Sequence, residues 1–286
     1  MGQHHHHIAA NRILSADDLR KQFGYSQDTN TLLQDIAGES HKKLLSELAA
    51  IAQHQFLSPG KKGLVKGFFL FGPPGTGKTT LARRLTLELA ERFAHEAGSQ
   101  SVVMATIDGA EIARSRYGES EERILDIFAH ARNGFTAQNQ RSVVLFDDIE
   151  SVFMSRDNQN AKEWHFSQDS VFFHAVDELD TSRSILILTS NRPDLVDAAI
   201  LDRFLAYEVG TPDAETMCQI ISSLVRSQAI GEADLEKIEN ATIDAYARGE
   251  IRSIRDAQKF ILSCYVASIL GQESRAYRPS RASTVP

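Results

Sequence analysis

The sequence predicts an α/β chain: a parallel β-sheet between layers of helices, followed by a small domain built of helices alone. Three observations predict it. Short apolar runs alternate with amphipathic stretches between residues 67 and 209, as buried strands joined by crossover helices do. The first run leads through a glycine-rich turn, "GPPGTGKT" (Gly72–Thr79), straight into a helical pattern. After "GTPD" (Gly210–Asp213) the strand pattern stops and only helical spacing continues. A chain of 286 residues has room for a large and a small domain. The expected division is a tail over 1–31, the α/β domain over 32–210, the helical domain over 211–272 and a second tail over 273–286.

The elements follow in order. Residues 1–31 are polar and weakly patterned, with one short helix around Ala16–Phe23. His4–His7 read as a tag or loose tail rather than a metal site. Leu44, Leu45, Leu48, Ile51 and Ala52 recur at helical spacing, and "SPGKKG" (Ser58–Gly63) ends that helix. Strands are predicted at Gly67–Phe71, Ser101–Ile107, Ser142–Phe146, Ser184–Thr189 and Ala206–Val209. Helices are predicted between them at Thr79–Glu96, Glu119–Arg132, Ser167–Leu179 and Leu195–Asp202. Pro212 suits a helix start, and helices are predicted over Ala214–Ser227, Ala233–Ala247 and Arg252–Leu270.

Composition narrows the function classes. The net charge of −7 gives no general attraction to nucleic acid or to an anionic membrane. Cys218 and Cys264, the only cysteines, lie far apart without metal-type spacing, which suits a reducing cytosol. No apolar stretch reaches the roughly 18 residues of a membrane span, and no signal-peptide core follows Met1. A cytoplasmic location is expected.

The glycine-rich turn carries the chemistry. Gly72 to Thr79 fits G-x-x-x-x-G-K-[ST] between an apolar strand and a helix. The glycines let backbone N–H groups turn inward around an anion, and the helix N-terminus adds partial positive charge. Pro74, Gly75, Thr76, Gly77, Lys78, Thr79 and Thr80 are the expected phosphate-binding run, with Lys78 on the β- and γ-phosphates and the Thr79 hydroxyl toward Mg²⁺. "SVVLFDDIES" (Ser142–Ser151) supplies a second element, an apolar strand with Asp147 at its carboxyl end, where ligands gather in open α/β sheets. Asp147 would hold Mg²⁺ through water, and Asp148 would orient or deprotonate an attacking water. A third strand ends in "TSN", where Asn191 would hydrogen-bond that water or the γ-phosphate. Arg203 follows an amphipathic turn farther on.

Over roughly Leu32–Leu270 these elements resemble the AAA+ ATPases. "DIAGES" resembles the stretch that wraps the adenine, which implies base contacts from Ile36 and Ala37. "SRYGESEERILDIF" resembles the pore loop and its following helix, which implies that Arg116 and Tyr117 touch a threaded protein. "RDNQNAKEWHF" (Arg156–Phe166) would supply a second pore loop. "DDIES" resembles the Walker B element, Asn191 sensor 1, and Arg203 an arginine finger. The resemblance implies ATP with Mg²⁺, a hexameric ring and a protein substrate. "DDIESVFMSR", "DSVFFHAVDELD", "LTSN" and "VDAAILDR" look like the pachytene-checkpoint type, whose members remodel HORMA-domain proteins and whose bacterial relatives accompany antiphage signalling.

Four features depart from the family pattern. Asp148 stands where Glu is usual, with Glu150 close by as a second carboxylate; Arg116 stands where an aromatic is usual. Gly249 takes the sensor 2 place, with Arg248 and Arg252 beside it. The segment before the core is shorter than a substrate-binding domain. Two other functions compete. A nucleic-acid loader is disfavoured by the acidic balance and supported only by Arg275, Arg278 and Arg281. A slowly hydrolysing nucleotide-dependent scaffold is suggested by Asp148.

Overall fold

The computed structural model describes residues 13–23, 38–58, 65–94, 102–109, 112, 119–137, 140–151, 163–226 and 232–270. Six strands form one sheet: β1 (Ile13–Leu14), β2 (Gly67–Phe71), β3 (Val103–Asp108), β4 (Ser142–Asp147), β5 (Ser184–Ser190) and β6 (Phe204–Glu208). Their order across the sheet is β1-β3-β4-β5-β2-β6. Every pairing is parallel except β1 on β3. The helices are α1 (Ala16–Phe23), α2 (Glu39–Phe56), α3 (Lys78–Phe93), α4 (Glu119–Asn133), α5 (Glu163–Asp177), α6 (Ala214–Arg226), α7 (Glu232–Ala247) and α8 (Ile254–Ile269).

Alternation along the strands builds two apolar layers. Phe68, Leu70, Val143, Leu145, Ile185 and Ile187 face the side covered by α1, α2 and α3. Phe69, Val144, Phe146, Leu186 and Leu188 face the side covered by α4 and α5, where Phe128, Phe146 and Phe172 meet edge to face or stacked. β5, third from one edge and fourth from the other, is buried along its whole length. At its N-terminal end Ser184 lies opposite Ser142 on β4. The two buried hydroxyls are 2.6 Å apart, and Ser184 donates onward to the carbonyl of Ala131 on α4 at 2.6 Å. Gly67 allows β2 to lie against β5, since a Cβ there would come within 1.9 Å of the Leu186 carbonyl oxygen.

The chain divides into two compact units. The larger holds Ser40–Gly72 and Lys78–Val209 with the N-terminal segment; the smaller holds Gly210 onward with Ala37–Glu39 and the turn Pro73–Gly77. In the smaller unit Met217, Ile221, Val225, Ile238, Ala245, Phe260 and Ile261 close a core of their own. Ser253 caps α8 by accepting from the Asp256 N–H at 3.1 Å.

Three expectations change. The expected N-terminal tail contributes structure: β1 extends the sheet edge, and Leu19 of α1 is fully buried. Ser15 and Asp18 form a reciprocal cap there, with Asp18 N–H donating to Ser15 Oγ at 3.1 Å and Ser15 N–H to Asp18 Oδ2 at 3.0 Å. The helix expected over Leu195–Asp202 is instead a pair of 3-10 turns, Pro193–Leu195 and Ala198–Ile200. Pro193 and Asp197, whose carboxylate accepts from the Ala199 N–H at 2.8 Å, restart the chain too often for an α-helix. α5 begins at Glu163, so the last residues of the expected second pore loop are helical.

Candidate active site

Register assembles the site. Phe71 on β2 pairs with Ser190 on β5, and Phe146 on β4 with Leu188 on β5. One residue past each pair, Gly72 and Asp147 reach the carboxyl edge beside Asn191 and Thr189. Gly72 sits at φ 143° with its N–H on the Ser190 carbonyl at 3.2 Å. A Cβ on it would come within 2.4 Å of the Val209 carbonyl oxygen, so only glycine fits. Gly75 and Gly77 follow at φ 79° and 98° in the turn that enters α3. Thr76 donates to the Pro73 carbonyl at 3.0 Å, which closes that turn locally. Pro74 and Thr80 are exposed at its two ends.

Lys78, the first residue of α3, is buried. Its ammonium donates to the Gly72 carbonyl at 2.9 Å and to Asn191 Oδ1 at 2.8 Å. The Thr79 hydroxyl donates to both carboxylate oxygens of Asp147, at 3.2 and 3.3 Å. Thr189 donates to Asp147 Oδ1 at 2.5 Å and accepts from the Asp148 N–H at 3.1 Å. Asp148 takes the left-handed conformation, φ 54°, and its carboxylate accepts from Asn191 Nδ2 at 2.8 Å. Partial desolvation, followed by the neighbouring Asp147 and Glu150 carboxylates, pushes the Asp148 carboxyl above its usual range, while Lys78 pulls the other way.

Lys78, Thr79, Asp147, Asp148 and Asn191 therefore meet at one edge of the sheet. Arg203 is engaged within its own chain: Nε and Nη2 donate to Asp177 of α5 at 2.7 and 2.9 Å, and Nη1 to the Ala199 carbonyl at 3.2 Å. Its guanidinium also lies 4.9 Å from the Phe173 ring centroid. The same contacts hold the Asp177 carboxyl below its usual range and raise Arg203. Arg248 pairs with Glu250 at 2.8 Å, and Arg252 donates to the Gly249 carbonyl at 3.4 Å. Ile36, Ala37, Arg116 and Tyr117 lie outside the described residues. Thr189 and Asp177 join the site through contacts that the sequence does not display, while Glu150, the second carboxylate beside Asp148, accepts from the Asn191 N–H at 3.1 Å. A hydroxyl ending an apolar strand, the Thr189 of "TSN", was the one available signal.

Residues 68–209 match the family model described as the ATPase family associated with various cellular activities, AAA. They are an AAA ATPase domain. The chain is 28% identical over 249 residues to the peroxisomal ATPase PEX6 of Dictyostelium discoideum, covering 79% of this chain and 19% of that protein. It is 30% identical over 184 residues to the cell division cycle protein 48 homolog of Archaeoglobus fulgidus, covering 62% and 22%. It is 28% identical over 204 residues to a proteasome-associated ATPase of Pseudarthrobacter chlorophenolicus, covering 68% and 35%. The chain thus spans between 19% and 35% of these relatives' length.

The AAA ATPase domain offers a donor set suited to a magnesium nucleotide. Mg²⁺ favours oxygen ligands, few of them from protein and the rest from phosphates and water. The Thr79 hydroxyl beside the Asp147 carboxylate fits that pattern. Among the described residues no group of three or more His, Cys, Asp and Glu forms an all-protein metal cage, and no helix is long and apolar enough to cross a membrane.

Proposed function

We propose that this chain hydrolyses ATP and uses the energy to remodel a protein partner, working as a homo-oligomeric ring. The observation that carries the reading is the meeting of Lys78, Thr79, Asp147, Asp148 and Asn191 at the carboxyl edge of β2, β4 and β5. In this reading the Gly72–Thr79 backbone and the Lys78 ammonium bind the phosphates. Thr79 and Asp147 would hold Mg²⁺, which supplies charge neutralisation at the phosphate oxygens. Asp148 accepts the proton of the attacking water, with its carboxylate raised toward the basicity that role needs. Asn191, hydrogen-bonded to Asp148, would orient that water. Arg203 of a neighbouring copy would stabilise charge on the γ-phosphate, a contribution worth about 10³-fold or more in other nucleotidases.

Tyr117 and Arg116 would grip the threaded chain, Tyr117 by its flat face and Arg116 by stacking or ion pairing. The named relatives, a peroxisomal and a proteasome-associated ATPase among them, support a protein rather than a nucleic-acid substrate. A HORMA-type partner, with a place in antiphage signalling, is the finer reading and rests on the segments "DDIESVFMSR" and "VDAAILDR". Phosphate release by the purified chain tests the hydrolysis. Lys78→Ala should lose most ATP affinity, and unchanged affinity would sink the assignment. Tyr117→Ala should keep basal turnover and lose remodelling of a HORMA-type protein; intact remodelling would remove the threading role.

A further inference from the structure

We infer that Glu150 is a positioning residue for Asn191: its carboxylate takes the backbone N–H at which the β5 ladder ends, and so fixes the Asn191 amide between Lys78 and Asp148. β5 ends at Ser190 and its partner β2 at Phe71, so the Asn191 N–H lies beyond the last strand pair. Glu150 Oε1 accepts it at 3.1 Å. The next N–H, of Arg192, turns back to Ser190 Oγ at 3.0 Å. Glu150 thus extends by one acceptor a ladder that the sheet no longer supplies.

The local chain explains how a residue so close to Asp148 reaches β5. Asp148 takes the left-handed conformation, φ 54°, and a 3-10 turn, Ile149–Ser151, follows at once. Ile149 is fully buried in the layer under α4 and α5, which anchors that turn. Glu150 is thereby folded back onto the end of β5 rather than into solvent. Its second oxygen, Oε2, is buried without a hydrogen-bond partner among the described residues. An unsatisfied buried acceptor costs on the order of 1–3 kcal/mol, so this placement is unfavourable unless the bond to Asn191 matters.

It matters because the Asn191 side chain has one workable orientation. Its Oδ1 accepts from the Lys78 ammonium and its Nδ2 donates to Asp148, both at 2.8 Å. A flipped amide would set N–H₂ against the ammonium and oxygen against the carboxylate. Fixing the Asn191 backbone fixes the distance between the phosphate-binding lysine and the proton acceptor. A displacement of about 1 Å at such a point can cost on the order of 10²-fold in rate.

The catalytic consequence rests on the hydrolysis reading above; the positioning itself does not. The test compares Glu150→Gln, which keeps a carbonyl acceptor, with Glu150→Met, which keeps the stem and removes both oxygens. Two readouts are taken on the full chain: steady-state ATP turnover, and hydrogen exchange at the Asn191 amide. Glu150→Met should lower kcat roughly 10- to 100-fold with KM for ATP within about twofold. Its Asn191 amide should lose protection. Glu150→Gln should stay near the parent in both. Parent-like kcat and protection in Glu150→Met would overturn the inference, and so would a Glu150→Gln variant as impaired as Glu150→Met. A parent chain without turnover would defeat the hydrolysis reading alone, and exchange at Asn191 would still decide the positioning.

Discussion

Asp148 shows at the residue scale why one methylene matters. A left-handed conformation in a residue other than glycine stores strain of about 1–3 kcal/mol, and aspartate tolerates it better than longer side chains do. Its N–H on Thr189 and its carboxylate on Asn191 hold it there. From the sequence alone, aspartate at this place predicts slow turnover, because its carboxylate falls about one C–C bond short of a glutamate's. At φ 54° the Asp148 carboxylate already reaches Asn191 at 2.8 Å, so a longer side chain would have to displace that contact. Asp148→Glu should therefore lower the melting temperature and fail to accelerate phosphate release; a faster and equally stable variant would contradict that. Asp148→Asn keeps the shape and removes a charge crowded by Asp147 and Glu150. It should melt above the parent while losing turnover by about 10²-fold or more. Arg203 makes a second case. Its partner Asp177 is held below the ordinary carboxylate range, so the pair's stabilisation is present above the unfolded-state pKa and is lost as pH falls through the folded-state one. Both side chains are partly exposed, which limits the pair to under about 1 kcal/mol. Asp177→Asn should lower the melting temperature by no more than a few degrees at pH 7 and leave it unchanged near pH 2. An equal loss at both pH values would mean that the shape and hydrogen bonds of Asp177, not its charge, hold the arginine.

At the scale of elements, the legible parts were the long and periodic ones. β2, β4 and β5 announce themselves as unbroken apolar runs, and α2 and α4 as helical stripes, because each buries a face that dictates its spacing. β1 spans Ile13–Leu14 alone and has no period to detect; pairing with β3 makes it a strand. The segment after Pro193 has apolar residues at helical spacing, yet local caps cut it into single turns. Of the site, Lys78, Thr79, Asp147, Asp148 and Asn191 were legible because each ends or begins a periodic element. Thr189, Glu150 and Asp177 act through cross-strand or helix-to-turn contacts, which sequence order does not display. The N-terminal helix allows a stability test. Leu19 is fully buried against the layer that holds α2 and α3, so Leu19→Ala should cost about 2–5 kcal/mol, read by denaturant unfolding. A change within about 0.5 kcal/mol would show α1 to be only loosely attached.

For the whole molecule the question is whether one chain completes a site. Arg203 is occupied by Asp177 and Ala199 of its own chain, so service at a phosphate would require the ion pair to open or the arginine to share its remaining N–H groups with a neighbour. Under the proposed ring, Arg203→Ala should bind ATP nearly normally and lose turnover. Mixing it with Lys78→Ala should restore part of the activity, since an intact phosphate turn and an intact arginine can then meet across one interface. Parent-rate hydrolysis by Arg203→Ala would remove the arginine from the reaction.

The buried hydroxyl pair at the far end of β5 has a consequence for how the active edge can drift. Ser142 and Ser184 tie β4, β5 and α4 at one depth, and Asp147 lies five residues farther along β4, about 16 Å away. A parallel pair can slide by two residues and keep every side chain on its own face, so hydrophobic burial alone tolerates that error. The slide would separate Ser184 from Ser142 and carry Thr189 away from Asp147 at the same time. The two hydroxyl contacts thus act as paired dowels at opposite ends of one plank, and the alignment of the chemistry is set as firmly from its distant end as from its near one.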